Sequence, residues 1–154
     1  MKAYLSGAME YASDEGSKWR AEITIWLKQN LKHGVYNPVL ESEQLTNKYR
    51  AQNYRTWKKS DPERYADFIR HCVNTDLSII EKDIDYIICL WNEGVLKGAG
   101  TAGEVTLAYR SRLPVYLVNG LPPENLSGWI MACSTKVFND MDILKSFLFE
   151  KYKK

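Results

Sequence analysis

"YIICLWNEGVLKGAGTAGEVTLAYRSRLPVYLV", Tyr86 to Val118, holds two apolar runs of strand length on either side of a glycine-rich turn and a stretch with helical character. The first run, Tyr86 to Trp91, is continuously apolar, as expected at the centre of a parallel sheet covered on both faces. The second is Val115 to Val118, and the spacing between them predicts a helix from about Ala102 to Arg112. The unit therefore reads as strand, turn, helix, parallel strand.

Upstream the same alternation recurs. Ala3 to Leu5 begin a strand that stops at Ser6-Gly7, and Trp19, Ile23, Trp26, Leu27 and Leu31 share one face of a helix expected over about Glu15 to Lys32. Val35 to Asn37 form a second short strand ended by Pro38. Residues 41–59 are polar and aromatic, with Tyr49, Tyr54 and Trp57 among charges, and read as an insert that could serve as a lid. Asp61 is placed to cap a helix with Pro62 in its first turn, running to about Glu81 with Tyr65, Ile69, Cys72 and Leu77 on its buried face.

Downstream, a short helix over Leu126 to Ala132, an edge strand at Lys136 to Phe138 and a helix over Asp140 to Lys151 complete the pattern, with the terminal KYKK as a solvated helix end. The alternation predicts an α/β fold: one domain over residues 1–154, with a doubly wound parallel sheet of about five strands, flavodoxin-like or Rossmann-like.

Bulk composition narrows the function classes. At 154 residues, 45% hydrophobic and 26% charged, the chain suits one buried core, and a net charge of +2 carries no polyelectrolyte signal toward nucleic acid or membrane. A small-molecule partner is expected. Cys72, Cys89 and Cys133 are odd in number and widely spaced, neither a disulfide framework nor a metal-ligand pattern. MKAYLSGAME lacks the long apolar core of a signal peptide, so the expected location is cytoplasmic. His33 and His71 have no partner spacing and read as structural or surface residues. No spacing implies a metal or an organic cofactor, and GAGTAGE follows neither the Walker nor the dinucleotide pattern.

In open parallel sheets, ligands bind beyond the carboxyl ends of the strands. Three such places carry suggestive residues: Tyr4 to Met9, Asn92 to Glu104, and Asn119 to Trp129. Gly98, Gly100 and Gly103 would let the backbone approach a ligand, and Glu104 is either an ordinary first-turn helix residue or a carboxylate presented to that ligand.

Together, "YLSGAM" at Tyr4 to Met9, "NTDLSIIEKDIDYII" at Asn74 to Ile88 and "GTAGEVTLAYRSRLPVYLV" at Gly100 to Val118 resemble the nucleoside 2-deoxyribosyltransferase family, which includes related nucleoside 5′-monophosphate N-glycosidases. "NLSGW" at Asn125 to Trp129 is similar to a further family segment, while residues 41–70 lie outside the resemblance.

The resemblance implies that Glu104 is a nucleophile toward the sugar's anomeric carbon, that Asp76 sits beside it to position it or aid proton transfer, and that Tyr4 hydrogen-bonds it. A strand tyrosine packed in the core is the alternative for Tyr4, and a capping or salt-bridged residue the alternative for Asp76. Ser6, Gly7, Met9, Gly98, Gly100 and Thr101 would line the substrate site. Asn125 and Ser127 would reach the sugar's 5′ end in a neighbouring subunit of a homo-oligomer, or else cap the helix that follows them.

Gly98 departs from the family, whose members hold an Asp or a Ser six residues before the nucleophile. Base recognition would then fall to Asn92, Glu93 or the 41–59 insert, where the aromatics either stack on a base or cover a sheet edge, and Lys97 could meet a phosphate. The resemblance implies cleavage of the N-glycosidic bond of 2′-deoxyribonucleosides through a covalent glycosyl-Glu104 intermediate, with transfer to another nucleobase. Hydrolysis of a nucleoside 5′-monophosphate is the alternative, and a nucleotide-binding module without turnover is the second.

Overall fold

The computed structural model describes residues 1–153. Five strands, β1 (Lys2–Gly7), β2 (Gly34–Tyr36), β3 (Tyr86–Trp91), β4 (Val115–Asn119) and β5 (Lys136–Phe138), form one all-parallel sheet in the order β2-β1-β3-β4-β5. This is the doubly wound α/β arrangement expected, in its flavodoxin-like strand order. Strand order reverses between β1 and β3, so a crevice opens beyond the carboxyl ends of those two strands.

Both faces of the sheet are covered, which is why its central strands are apolar throughout. Helices α1 (Ser17–Asn30) and α7 (Met141–Tyr152) bury Ile23, Leu27, Leu144 and Leu148 against Ala3, Leu5, Ile88 and Val118 on one face. On the other, α4 (Pro62–Asp83), α5 (Gly100–Arg110) and α6 (Gly128–Cys133) bury Ile80, Val105, Ala108 and Ile130 against Ile87, Cys89 and Leu117. No helix among the described residues is long and apolar enough to cross a membrane.

Four expectations change. The helix after the glycine turn begins at Gly100, two residues earlier than its spacing suggested, so Glu104 lies in the second turn and not the first. The insert contains two helices, α2 (Pro38–Lys48) and α3 (Tyr54–Ser60), the first started by Pro38 and capped by Asn37, whose side chain accepts from Val39 N–H. Asp61 caps α4 as expected, yet the deeply buried residues of α4 are Phe68 and Ile80; Tyr65, Ile69, Cys72 and Leu77 are half-buried, the first three because they border a cavity. Tyr152 is not a solvated end: it stacks on Tyr86 with centroids 5.4 Å apart and hydrogen-bonds Tyr116 at 2.8 Å.

Candidate active site

A cavity of about 240 Å³ opens at the reversal point. Its floor is the β1–α1 loop at Gly7 to Tyr11 and the start of α5, and its walls come from α2, α3 and α4. The insert thus walls the cavity. Tyr54 and Arg55 face it from α3, and Pro38, Ser42 and Leu45 from α2. Tyr49 and Trp57 do not line it; with Tyr54 they surround Phe68, centroids 4.8 to 6.4 Å away, and hold the insert to α4.

Asp76 from α4 and Glu104 from α5 both face this cavity. Glu104 is held on both oxygens. Tyr4 donates its hydroxyl to Oε1 at 2.7 Å, and Ser6 donates to Oε2. Tyr4 and Ser6 alternate along β1, and both are fully buried. Tyr4 is therefore both a core tyrosine and a ligand of the carboxylate, so the two roles weighed for it coincide. Each carboxylate oxygen keeps a second lone pair for a reacting partner.

Among the described residues Asp76 has one side-chain donor, Tyr36 at the end of β2, whose hydroxyl reaches Oδ1 at 2.9 Å. The rings of Tyr4 and Tyr36, paired residues of adjacent strands, stack at 5.2 Å and 15°. One stacked pair of phenols thus serves two carboxylates. Among the described residues Asp76 is neither a helix cap nor part of a salt bridge.

Burial decides the protonation of both groups. Loss of water, reinforced by Glu104 nearby, pushes Asp76 from 3.8 to about 7, while the Tyr36 hydrogen bond opposes the rise. Glu104 is also raised by desolvation, against the pull of Ser6, Tyr4 and the Arg20 charge. Glu104 is held by two donors and Asp76 by one, and the Arg20 charge favours the ionised form of both. The cavity also exposes Cys72, but burial pushes its thiol up to about 11, which leaves it protonated and a poor nucleophile.

Arg20 is the residue that pattern reading missed. Though 1% exposed, its guanidinium meets five backbone carbonyls: Leu5, Gly7, Ala8, Glu15 and Gly16. It sets the shape of the β1–α1 loop and places positive charge beneath Glu104. Gly16 makes this possible, since it adopts φ +72° and a Cβ there would stand 2.2 Å from Arg20 Nη1. The sequence signal was an arginine three residues before the apolar Ile23, on the buried stripe of α1.

Gly7, Met9, Gly98, Gly100 and Thr101 line the cavity. Gly98, Gly100 and Gly103 have no positive φ, and Gly100 and Gly103 have open space where a Cβ would stand, so the backbone conformation does not require these glycines. Four other residues lie elsewhere. Asn92 accepts from Gly94 N–H and caps a 3-10 turn at Glu93–Lys97, and Lys97 is exposed at the far end of that turn. Asn125 and Ser127 are exposed, and Ser127, at the N-cap of α6, makes no side-chain capping bond. Arg55 is the basic side chain that lines the cavity, and it is ion-paired to Glu15 at 2.6 Å.

The fold and site define a doubly wound α/β protein with two carboxyl groups, each held by a tyrosine hydroxyl, at the strand-order reversal. No protein-family model matches the chain, and no curated protein does. Among solved structures, the CMP N-glycosidase BcmB of Clostridium botulinum aligns over 96% of this chain and 98% of its own, with a TM-score of 0.54 and 14% identity. A conserved protein of Enterococcus faecalis V583 aligns over 99% of this chain and 87% of its own, with a TM-score of 0.45 and 16% identity. At such identities the likeness to BcmB is one of fold.

Proposed function

We propose that this chain cleaves the N-glycosidic bond of a nucleoside or nucleotide, with Glu104 as nucleophile and Asp76 as general acid and base. The observation that carries the reading is the pairing of unlike carboxylates at one cavity: Glu104 secured on both oxygens, and Asp76 with a pKa of about 7. Two carboxyl groups that share a cavity but differ in their hydrogen-bond donors can divide the nucleophile and acid roles between them.

Glu104 attacks the anomeric carbon as the C–N bond breaks, and Asp76 passes its proton to the departing base. The sugar then sits as an ester on Glu104 Oε1 or Oε2. A second nucleobase attacks from the vacated side, Asp76 takes up the proton that base releases, and the carboxylate of Glu104 is regenerated. Two inversions give net retention. With a 2′-deoxyribonucleoside as donor, the activity is deoxyribosyl transfer.

Water as the acceptor gives the second reading, hydrolysis of a nucleoside 5′-monophosphate to base and sugar phosphate. Two observations favour it: the N-terminus of α5, uncapped by a side chain, opens on the cavity, and the structural neighbour is a CMP N-glycosidase. In both readings Asn125 and Ser127 act on a neighbouring copy's cavity in a homo-oligomer. Their exposure and that of Trp129 (66%) and Tyr109 (60%) leave this face free for such a contact.

The test incubates the protein with deoxyinosine, deoxyuridine and their 5′-monophosphates, with and without adenine, and follows bases and sugars by chromatography. Base exchange that depends on adenine supports transfer, and free sugar phosphate supports hydrolysis. Binding without turnover would instead make the chain a nucleotide-binding module. Glu104→Gln should lower turnover by at least about 10³-fold while the protein stays folded. Undiminished turnover in that variant would rule out the nucleophile.

A further inference from the structure

Tyr36 belongs to none of the motifs that drew attention to the site, yet it makes the one side-chain hydrogen bond to Asp76 among the described residues. We propose that Tyr36 is a positioning residue that fixes which oxygen of Asp76 carries the exchangeable proton and so aims that proton at the leaving base. This rests on the reading of Asp76 as the general acid.

The geometry allows Tyr36 one role in that bond. Burial and the adjacent Asp76 hold its phenol far above its ordinary range, so it remains a donor at every working pH. In a neutral carboxylic acid the carbonyl oxygen is the better acceptor and the hydroxyl oxygen the donor. Donation by Tyr36 to Oδ1 therefore makes Oδ1 the carbonyl oxygen and leaves the acid proton on Oδ2. The ring cannot easily turn away, because it stacks on Tyr4, which Glu104 in turn holds.

The bond also acts during the transfer. When the proton leaves Oδ2 for the base nitrogen, Asp76 becomes charged, and a hydrogen bond to a charged acceptor is roughly twice as strong as a neutral one. Tyr36 thus favours the product of the step. The other groups acting on Asp76 come from different elements and touch it through charge alone: Glu104 on α5 and Glu41 on α2 oppose ionisation, and Arg20 on α1 assists it. Tyr4 on β1 is directed to Glu104.

The experiment uses the full chain carrying Tyr36→Phe, and a second protein with 3-fluorotyrosine at position 36, whose more acidic phenol is a stronger donor. Asp76 is titrated without substrate by ¹³C NMR of aspartate carboxyl carbons, with Asp76→Asn giving the assignment. Tyr36→Phe should raise the Asp76 midpoint and fluorotyrosine should lower it. The alkaline limb of the rate profile should move the same way in each protein, and Tyr36→Phe should lower kcat about tenfold with KM changed less than twofold.

An unmoved Asp76 midpoint in folded Tyr36→Phe overturns the proposal. If that variant does not fold, the fluorotyrosine protein decides, and the absence of a downward shift overturns it. Midpoints that move as expected in a protein that turns over none of the nucleosides or nucleotides keep Tyr36 as the group that sets Asp76 protonation. That outcome overturns the catalytic reading beneath it.

Discussion

Tyr86 and Tyr116 on one face of the sheet, and Tyr4 and Tyr36 on the other, are all strand tyrosines that are almost wholly buried, yet their hydroxyls end on different partners. Tyr86 bonds His33 Nδ1 at 2.8 Å, and Tyr116 bonds the Tyr152 hydroxyl at 2.8 Å. Burial lowers the pKa of His33, so these partners are neutral and the network is closed. Tyr4 and Tyr36 end on carboxylates that face a cavity. The first arrangement satisfies polar groups that burial would otherwise leave costly. The second uses the same kind of phenol to hold two acids at the edge of a cavity, where burial raises the pKa of Asp76.

Arg20 offers the strongest way to break this division, because it is rooted on α1, against the first face, and its charge acts on the second. Arg20→Met removes the partner of five carbonyls, and a loss on the order of 3 kcal/mol is expected in denaturant unfolding. Glu104, deprived of a cation, should titrate higher still. A variant as stable as the parent would mean that water replaces the guanidinium and that the loop does not depend on it.

Asp76→Asn sharpens the contrast through pH. A carboxyl whose folded pKa is raised from 3.8 to about 7 contributes its full stability below about pH 4 and loses it progressively as the pH rises to about 7. The asparagine variant should therefore match the parent near pH 4 and exceed it by up to about 4 kcal/mol at pH 8, read from thermal midpoints across pH. Its turnover should fall about 10²- to 10⁴-fold. Equal stability of the two proteins at both pH values would mean that Asp76 is ionised in the fold without cost.

The smallest expected effects give the most direct comparison. Tyr86→Phe should cost about 1 kcal/mol of stability and leave turnover intact, since it opens a neutral hydrogen bond remote from the cavity. Tyr4→Phe should cost at least as much stability and in addition lower turnover about tenfold, because a buried carboxylate loses one of its two donors. Paired thermal melts and initial rates on the two variants would reveal any exchange of these outcomes, which would erase the distinction between the faces.

Much of the fold is legible in the order of residues alone. YIICLW and VYLV are strands because continuous apolar runs suit a sheet covered on both sides, and Asp61-Pro62 begins a helix because cap and proline act locally. The insert is opaque for a local reason as well. Its two helices are short and mostly polar, and they are held to α4 by Tyr49, Tyr54 and Trp57 around Phe68, a contact that no periodicity announces. The family resemblance points to Tyr4, Asp76 and Glu104, which the fold brings to one place. Tyr36 and Arg20 escape it, one being the last residue of a three-residue strand and the other a cation inside an otherwise amphipathic helix.

Local pattern is therefore enough for the five strands and most of the helices that flank them, because each follows from side-chain periodicity and the rules of parallel sheets. Which phenol meets which carboxylate is decided only in the folded chain. Tyr4 reaches Glu104 across 100 residues and Tyr36 reaches Asp76 across 40, through strand register and helix docking. The protonation of those acids depends on the water that packing excludes, and neighbours in sequence do not determine that.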